Sequence, residues 1–504
     1  MKTKIWLKRG LFGFVALVTL LGFVIAIENV RGKRAWMAYA AEVTAKGESL
    51  DWLTFMPADV PDAENMAAVP WLGPYVDYVT DPVTKRVRLR DSNACERVVA
   101  PYSWIGQVRQ ESTSWRQGAV SDLASWVRQA EALKATLPPE IARAVSVASN
   151  APPAEVLVGM LAQRREAMDR LREAARRPGC NFKLRYGEGL DCLFDQYRAM
   201  KQFGIALSFA AVVELAAGRT DDAVADILAT FRWADAAGSE PLLISILVRF
   251  AINELGVQGI WDGLAAHRWS ESQLVALDAA LAKRNLIVAS RRALSGERAF
   301  AIAALSNRPL SPGLGEPGAG TSEWAALRYM PSGWIYQNEI SIARTLEERV
   351  LAHIKTTENG GWIDLKATGA TGAIRPGNGK IRPYSVLAEM LVPAVSNALR
   401  TVAAAQATSQ MARIAIGLER YRLANGAYPA QLGDLVPKYL PALPVDPVNG
   451  APFLYRVLED KRFMLYSVGN NLKDDGGEIA LDKNGRLARH EARGDWVWRY
   501  PAGK

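Results

Sequence analysis

The side chains best suited to chemistry in this chain are few and scattered. Only three histidines occur, His267, His353 and His490, and only three cysteines, Cys95, Cys180 and Cys192, with no Cys-x-x-Cys pair. A zinc centre or a histidine-based triad needs clustered imidazoles or thiolates, so neither is expected. Cys180 and Cys192 bracket a short polar segment, Asn181 to Asp191, that contains Gly187 and Gly189. In an oxidising compartment these two could close a bridge, with free thiols as the alternative. Trp334, Tyr336, Asn338 and Glu339 form a polar-aromatic cluster that either lines a pocket or begins a packed helix. Near the C-terminus the run Asn470-Asn471-Leu472-Lys473-Asp474-Asp475-Gly476-Gly477-Glu478 gathers oxygen-bearing side chains on a glycine turn, and Asp495 follows.

The elements that must position these groups begin at a membrane. Leu11 to Ile27 is an uncharged run of 17 residues, preceded by Lys2, Lys4, Lys8 and Arg9 and followed by Arg31, Lys33 and Arg34. Its length is at the short end for a spanning helix, and the charge bias favours a cytoplasmic N-terminus. A cleaved signal peptide ending near Val24-Ile25-Ala26 is the rival reading. The expectation is a basic tail at 1–10, a transmembrane anchor at 11–27 and an exported body, in a single-pass protein of the bacterial inner membrane with its body in the periplasm. The chain is 504 residues long and 49 % hydrophobic, enough for more than one full-sized core.

The net charge of +9 is spread along the chain. Arg164, Arg165, Arg170, Arg172, Arg176 and Arg177 form its densest basic stretch, interleaved with Glu166, Asp169 and Glu173 at helical spacings. That pattern is a solvated helix face laced with ion pairs, and no nucleic-acid partner is expected.

Residues 28–110 open with a helical continuation of the anchor and then turn irregular and proline-rich. Trp52, Phe55, Trp71, Tyr75 and Tyr78 make this stretch too apolar for a disordered linker, so it should pack across the body. Residues 111–359 read as a large helical body. Leu123, Trp126 and Ala130 share a stripe; Gly218-Arg219-Thr220 separates two helices; Ser270 with Gln273 makes a capping box. The run from Leu242 to Ile252 is apolar enough to suggest a second span, but Arg249, Asn253 and Glu254 favour a buried soluble helix. The paired helices suggest a solenoid-like body without a strict repeat. The glycine-rich loop Leu310 to Thr321 should be mobile, and the glycine-rich stretch 360–383 is the candidate linker to a module at 384–504.

In that module Ala407, Met411, Ile414, Leu418 and Tyr421 lie on one helical stripe. Asn425-Gly426 closes the helix, and Pro429 keeps it closed. Pro441, Pro444 and Pro447 force an extended crossing, and the aromatic runs Phe453 to Tyr455 and Phe463 to Tyr466 form a hairpin. This succession — Tyr421, Asn425, Gly426, Tyr428 and Pro429, then Tyr466-Ser467-Val468-Gly469 and the acidic loop — resembles the soluble head of the major pseudopilin of type II secretion systems (protein G). The resemblance spans roughly residues 400–500. The expected architecture is therefore mainly α: a transmembrane helix, a solenoid-like helical body, and a small α+β pseudopilin-like domain with a long helix on an antiparallel sheet.

The resemblance implies a calcium site at the loop, with Val468 offering a carbonyl, Asn471 a side-chain oxygen, and Asp474, Asp475 and Asp495 carboxylates. Hard oxygen ligands on a glycine loop suit that ion. Asn471 stands where the family usually has Asp, so a plain polar turn is the alternative. The entry to the membrane helix also departs from the family. Gly10 is followed by Leu11-Phe12-Gly13-Phe14-Val15, with Val where the family's processing site has Glu. About 370 residues separate the anchor from the head, so the chain does not pack into a pseudopilus in the usual way. The functional expectation is a non-enzymatic, membrane-anchored envelope protein. Its head would contact protein partners, a secretion or pilus-like apparatus among them. The alternative is an exported enzyme or ligand-binding protein whose site lies in the helical body.

Overall fold

The computed structural model describes the whole chain except residues 1, 84–86, 110–114, 148–150, 187–191, 307–329, 358–359, 368–382, 460–461, 482, 484–493 and 500–504. The expected loop at Leu310–Thr321, most of the 360–383 linker and His490 lie outside the described residues.

The chain is mainly helical. The first helix, α1, runs unbroken over Lys2–Ala45, about 66 Å at the standard rise. Its N-terminal part is apolar and none of it is buried, so it is long and apolar enough to cross a membrane. Its C-terminal part leaves that apolar stretch and locks onto the body. There α1 crosses α12 (Ser332–Arg349) at a glycine pair, where a Cβ added to Gly32 would stand 2.6 Å from the Gly333 Cα. Asn29 Oδ1 accepts the Gly333 amide at 2.7 Å. Tyr39 and Val43 then bury themselves against Ile302, Ile340 and Ala343.

After α1 come short 3-10 turns and a hairpin of β1 (Tyr78–Thr80) with β2 (Val87–Leu89). The aromatics of this stretch pack across the body as expected: Trp52 meets Phe300 at 5.1 Å between ring centroids, and Trp71 meets Phe203 at 5.6 Å. The irregular segment ends earlier than 110, because α2 occupies Ser92–Val108. Asp91 caps it by accepting the Ala94 amide at 3.0 Å, and Pro101 inside the helix hides its periodicity.

The body continues through α3 (Leu123–Ala132), α4 (Pro139–Val147), α5 (Pro153–Ala162) and α6 (Arg165–Ala174). The long helices α7 (Gln196–Ala216), α8 (Thr220–Ala237) and α9 (Leu243–Ala265) follow, then α10 (Glu271–Ala282) and α11 (Leu286–Ser306). Gly218 takes a left-handed φ of 81° between α7 and α8, and the Ser270–Gln273 capping box opens α10. Helices α7, α8 and α9 each touch both others. These mutual contacts make a three-helix core and do not by themselves establish a solenoid. α7 and α9 are long and apolar enough for a membrane by composition, yet both are largely covered inside the body.

The C-terminal region is less separate than its sequence suggests. β3 (Ile354–Thr357) and β4 (Gly360–Ile363) form a hairpin, and β4 occupies the start of the expected linker. The Ile363 amide donates to the Pro447 carbonyl at 2.8 Å, joining this hairpin to the C-terminal crossing. Helix α13 spans Val386–Asn425 and is capped by Gly426 at φ 81°, whose amide donates to the Arg422 carbonyl at 2.8 Å. On one side it meets a three-stranded antiparallel sheet ordered β5 (Leu454–Val457), β6 (Phe463–Ser467), β7 (Trp496–Trp498). On the other it lies against α9, α10, α11 and α12. Ala407, Met411, Ile414 and Leu418 share one core with Phe231, Trp261 and Leu277 of the body and with Trp498 of the sheet. The third strand, β7, is an addition to the two expected.

Polar side chains hold this junction. Arg116 donates to Glu254 on α9 at 2.5 Å and to Thr408 on α13 at 2.7 Å. Asn253 donates to Ser409 at 3.0 Å. Two of the three residues that argued against a second membrane span, Asn253 and Glu254, thus help fasten α9 to α13, while Arg249 pairs with Asp235 on α8.

Candidate functional site

Two sites merit a chemical reading. The first is the acidic loop behind β6. The turn at Asp446 anchors it: Asp446 is buried, accepts Ser467 Oγ at 2.9 Å, and accepts the Val448 and Val468 amides at 3.2 and 3.3 Å. Burial pushes its carboxyl up to about 6, against the pull of those hydrogen bonds. Asp446 escaped the sequence reading, which took the proline crossing as extended chain. Its signal is an Asp-Pro followed by Asn449-Gly450, a side-chain-capped turn.

The loop and the returning strand do come together. Asp495 accepts the amides of Asp475 and Gly477 at 3.1 and 2.7 Å, and Asp475 accepts the Gly494 amide at 2.8 Å. Asp474 accepts the Tyr466 hydroxyl at 3.0 Å and the Gly476 amide at 2.8 Å. Burial raises the Asp495 carboxyl, and the charges of Asp475 and Asp474 raise it further. The three carboxylates lie at one glycine turn, and each already accepts at least one backbone amide. Asn471 does not join them as an oxygen donor. Its Oδ1 accepts the Lys473 amide at 3.1 Å while its Nδ2 donates to Asp475 at 2.7 Å, so it braces the loop instead. No group of three or more His, Cys, Asp or Glu side chains among the described residues has metal-ligand geometry.

The rest of the C-terminal signature is structural. Asn425 donates to the Tyr421 carbonyl at 2.8 Å, Tyr421 packs edge-on against Tyr439, and Tyr428 packs edge-on against Phe463. The Tyr455 hydroxyl donates to the Pro429 carbonyl at 2.8 Å. Buried Glu419 gathers Arg422, Tyr428 and His267, the last at 2.9 Å from the turn after α9. Burial alone would raise its carboxyl, but the hydrogen bonds from Arg422 and His267 prevail and hold it at about 2.

The second site is a cleft of about 440 Å³ among α5, α6, α7 and α8. Val158, Leu161 and Met168 form its apolar wall. Beneath it Asp226, with no exposed surface, is clasped by Arg172 through two hydrogen bonds of 2.6 and 2.8 Å. Arg172 also reaches Glu214 at 3.3 Å. Glu214 keeps one buried oxygen, Oε2, without a hydrogen-bond partner. Burial pushes its carboxyl up to about 8, the charge of Asp226 adding to this and Arg172 opposing it. Arg172 was expected on a solvated face. Its neighbour Arg170 does pair within the helix, with Glu166, while Arg164 pairs with Glu140 on α4 and Arg172 turns inward to carboxylates from two other helices.

Other expected residues play packing roles. Asn338 and Glu339 are fully buried in α12, and Asn338 donates to the Trp334 and Pro383 carbonyls at 3.0 and 3.3 Å. Neither Trp334, Tyr336, Asn338 nor Glu339 borders the two cavities described in this protein. Cys180 and Cys192 are both buried free thiols, so the bridge is not formed in this structure. Burial, with the charge of Glu240 adding to it, pushes the Cys180 thiol up to about 12. Residues 187–191 of the loop between the two cysteines lie outside the described residues.

Searches of protein-family models, of curated proteins and of solved structures return no match to this chain.

Proposed function

We propose that this is a membrane-anchored, non-enzymatic component of the bacterial envelope, with its body in the periplasm. Its pseudopilin-like head would meet protein partners of a secretion or pilus-like apparatus. One observation carries the reading: α1 passes without a break from an exposed apolar stretch into a packed crossing with α12. A helix that is at once anchor and core couples the body rigidly to the bilayer, as a scaffold requires and a tethered enzyme does not. α13 packs against both the body and the sheet, which supports a head that would be held at a set place relative to the membrane.

Calcium belongs to the same proposal. Asp474, Asp475 and Asp495 with the Val468 carbonyl are the groups that would hold it, and its contribution would be to relieve their mutual repulsion and stiffen the loop. The test of the main reading uses a photo-crosslinking side chain at exposed head positions of the full chain, Leu423 and Val457, with exposed Val147 on α4 as the control. The reading expects discrete adducts with envelope proteins from the head positions alone. Identical adducts from Val147, or none from the head, would count against it.

A second reading, an exported enzyme or ligand-binding protein, rests on the Glu214 cleft. A raised carboxyl beside a clamped carboxylate is a general acid–base arrangement. Loss of a substrate-dependent activity on Glu214→Gln would support it.

A further inference from the structure

At the seam between the helical body and the C-terminal crossing lies a cavity of about 310 Å³. It is bounded by the α10–α11 turn, by one face of α13 and by Pro441–Pro444. Its lining carries two guanidinium groups, Arg284 and Arg413, and no carboxylate. Arg413 is matched by Asp278 at 2.8 Å. Arg284 is not matched in the same way. Its carboxylate partner is Asp235 at 2.6 Å, and Asp235 also serves Arg249 at 2.9 Å and Arg232 at 3.9 Å. Three guanidinium groups share one carboxylate. Burial, with the charges of Arg249 and Arg232, accordingly lowers the pKa of Arg284 despite the counterion.

Two buried polar atoms on this lining lack partners. Arg284 is 7 % exposed and its Nε donates to nothing; Gln410 is 3 % exposed and its Oε1 accepts nothing. Leaving both unpaired is costly, and the costs would be met together by one occupant. Such an occupant needs an oxyanion for Arg284 and a donor for Gln410. Gln406 cannot supply the missing acceptor, because its Oε1 already takes the Leu286 amide at 2.8 Å.

We propose that this seam cavity binds a small anionic polyol, a compact molecule bearing one carboxylate or phosphate group and hydroxyl donors. The oxyanion pairs with Arg284, and a hydroxyl caps Gln410. Leu281 and Leu443 close over its apolar face. The ligand would bridge α13 and the proline crossing, so its binding would stiffen the joint between body and head. The site is independent of the Glu214 cleft and of the acidic loop.

The test is the melting temperature of the full chain in detergent, titrated with sodium glucuronate and with glucose 6-phosphate. Glucose and sodium chloride at matched ionic strength serve as controls. A ligand that binds only the folded state raises the melting temperature in a saturable way. The proposal expects saturation with at least one of the two anionic sugars and none with either control; which of the two saturates identifies the oxyanion. Ala442→Trp, on the proline crossing that walls the cavity, puts a bulky side chain there and should abolish the shift. Arg284→Gln should weaken binding at least about tenfold. An equal shift with chloride, an unchanged shift in the Ala442→Trp protein, or no saturable shift with either sugar overturns the proposal.

Discussion

Glu240 gives the sharpest quantitative prediction. It lies just before α9, is 2 % exposed, and neither of its carboxyl oxygens has a hydrogen-bond partner. Burial pushes its carboxyl from the ordinary 4.5 up to about 7, and the charge of Arg292 opposes this only weakly. Below the ordinary value both folded and unfolded chains hold the proton, and the site imposes no penalty. As the pH rises toward 7 the unfolded chain releases its proton while the folded chain retains it, so stability falls. Above 7 the loss is complete. A shift of that size corresponds to about 3 kcal/mol. Glu240→Gln removes the titration and keeps the shape. Urea unfolding of the body followed by tryptophan fluorescence, at pH 5 and at pH 8, should show the variant gaining about 3 kcal/mol on the wild type between the two values. If both proteins show the same pH dependence, Glu240 is not buried and unpaired as described.

Three further outcomes follow from the packing. Arg172→Ala strands the buried Asp226 carboxylate and should destabilise the protein by about 3–5 kcal/mol in chemical denaturation; adding Asp226→Asn should recover much of that loss. Calcium at millimolar concentration should raise the melting temperature of the full chain, and Asp495→Ala should remove the increment; no calcium shift would leave the loop as a hydrogen-bonded turn. The isolated 384–504 segment should bind a hydrophobic dye and lack a cooperative melt, because α13 is buried against the body as well as the sheet; a sharp transition would restore the independent module.

The contrast between legible and hidden features has physical causes. The stripe Ala407, Met411, Ile414, Leu418 marked one face of α13, and the Asn425-Gly426 stop marked its end. The opposite face was hidden because it is built from Gln406, Ser409 and Gln410, which look neutral in a periodicity but are buried against the body. A helix held between a sheet and a bundle has no solvent face to advertise. Arg172 shows the same limit. Its local pattern reads as a surface face, while its real partners, Glu214 and Asp226, come from later helices. Pro101 concealed α2, since a proline within a helix breaks the pattern that would reveal it. The apolar part of α1 was legible because a long uncharged apolar run marks a helix long enough to cross a membrane.

The most direct test of the anchored-scaffold account is protease added to intact spheroplasts that carry the full chain. The account predicts that the body is digested from outside while a short N-terminal stub, ending close to the Glu28–Arg34 stretch, stays with the membrane. Digestion should slow in the wild type relative to Gly333→Leu, whose side chain would push α12 off α1 at the Glu28–Asn29 backbone. A body fully protected in spheroplasts, or one released into the medium with no membrane-bound stub, would contradict it.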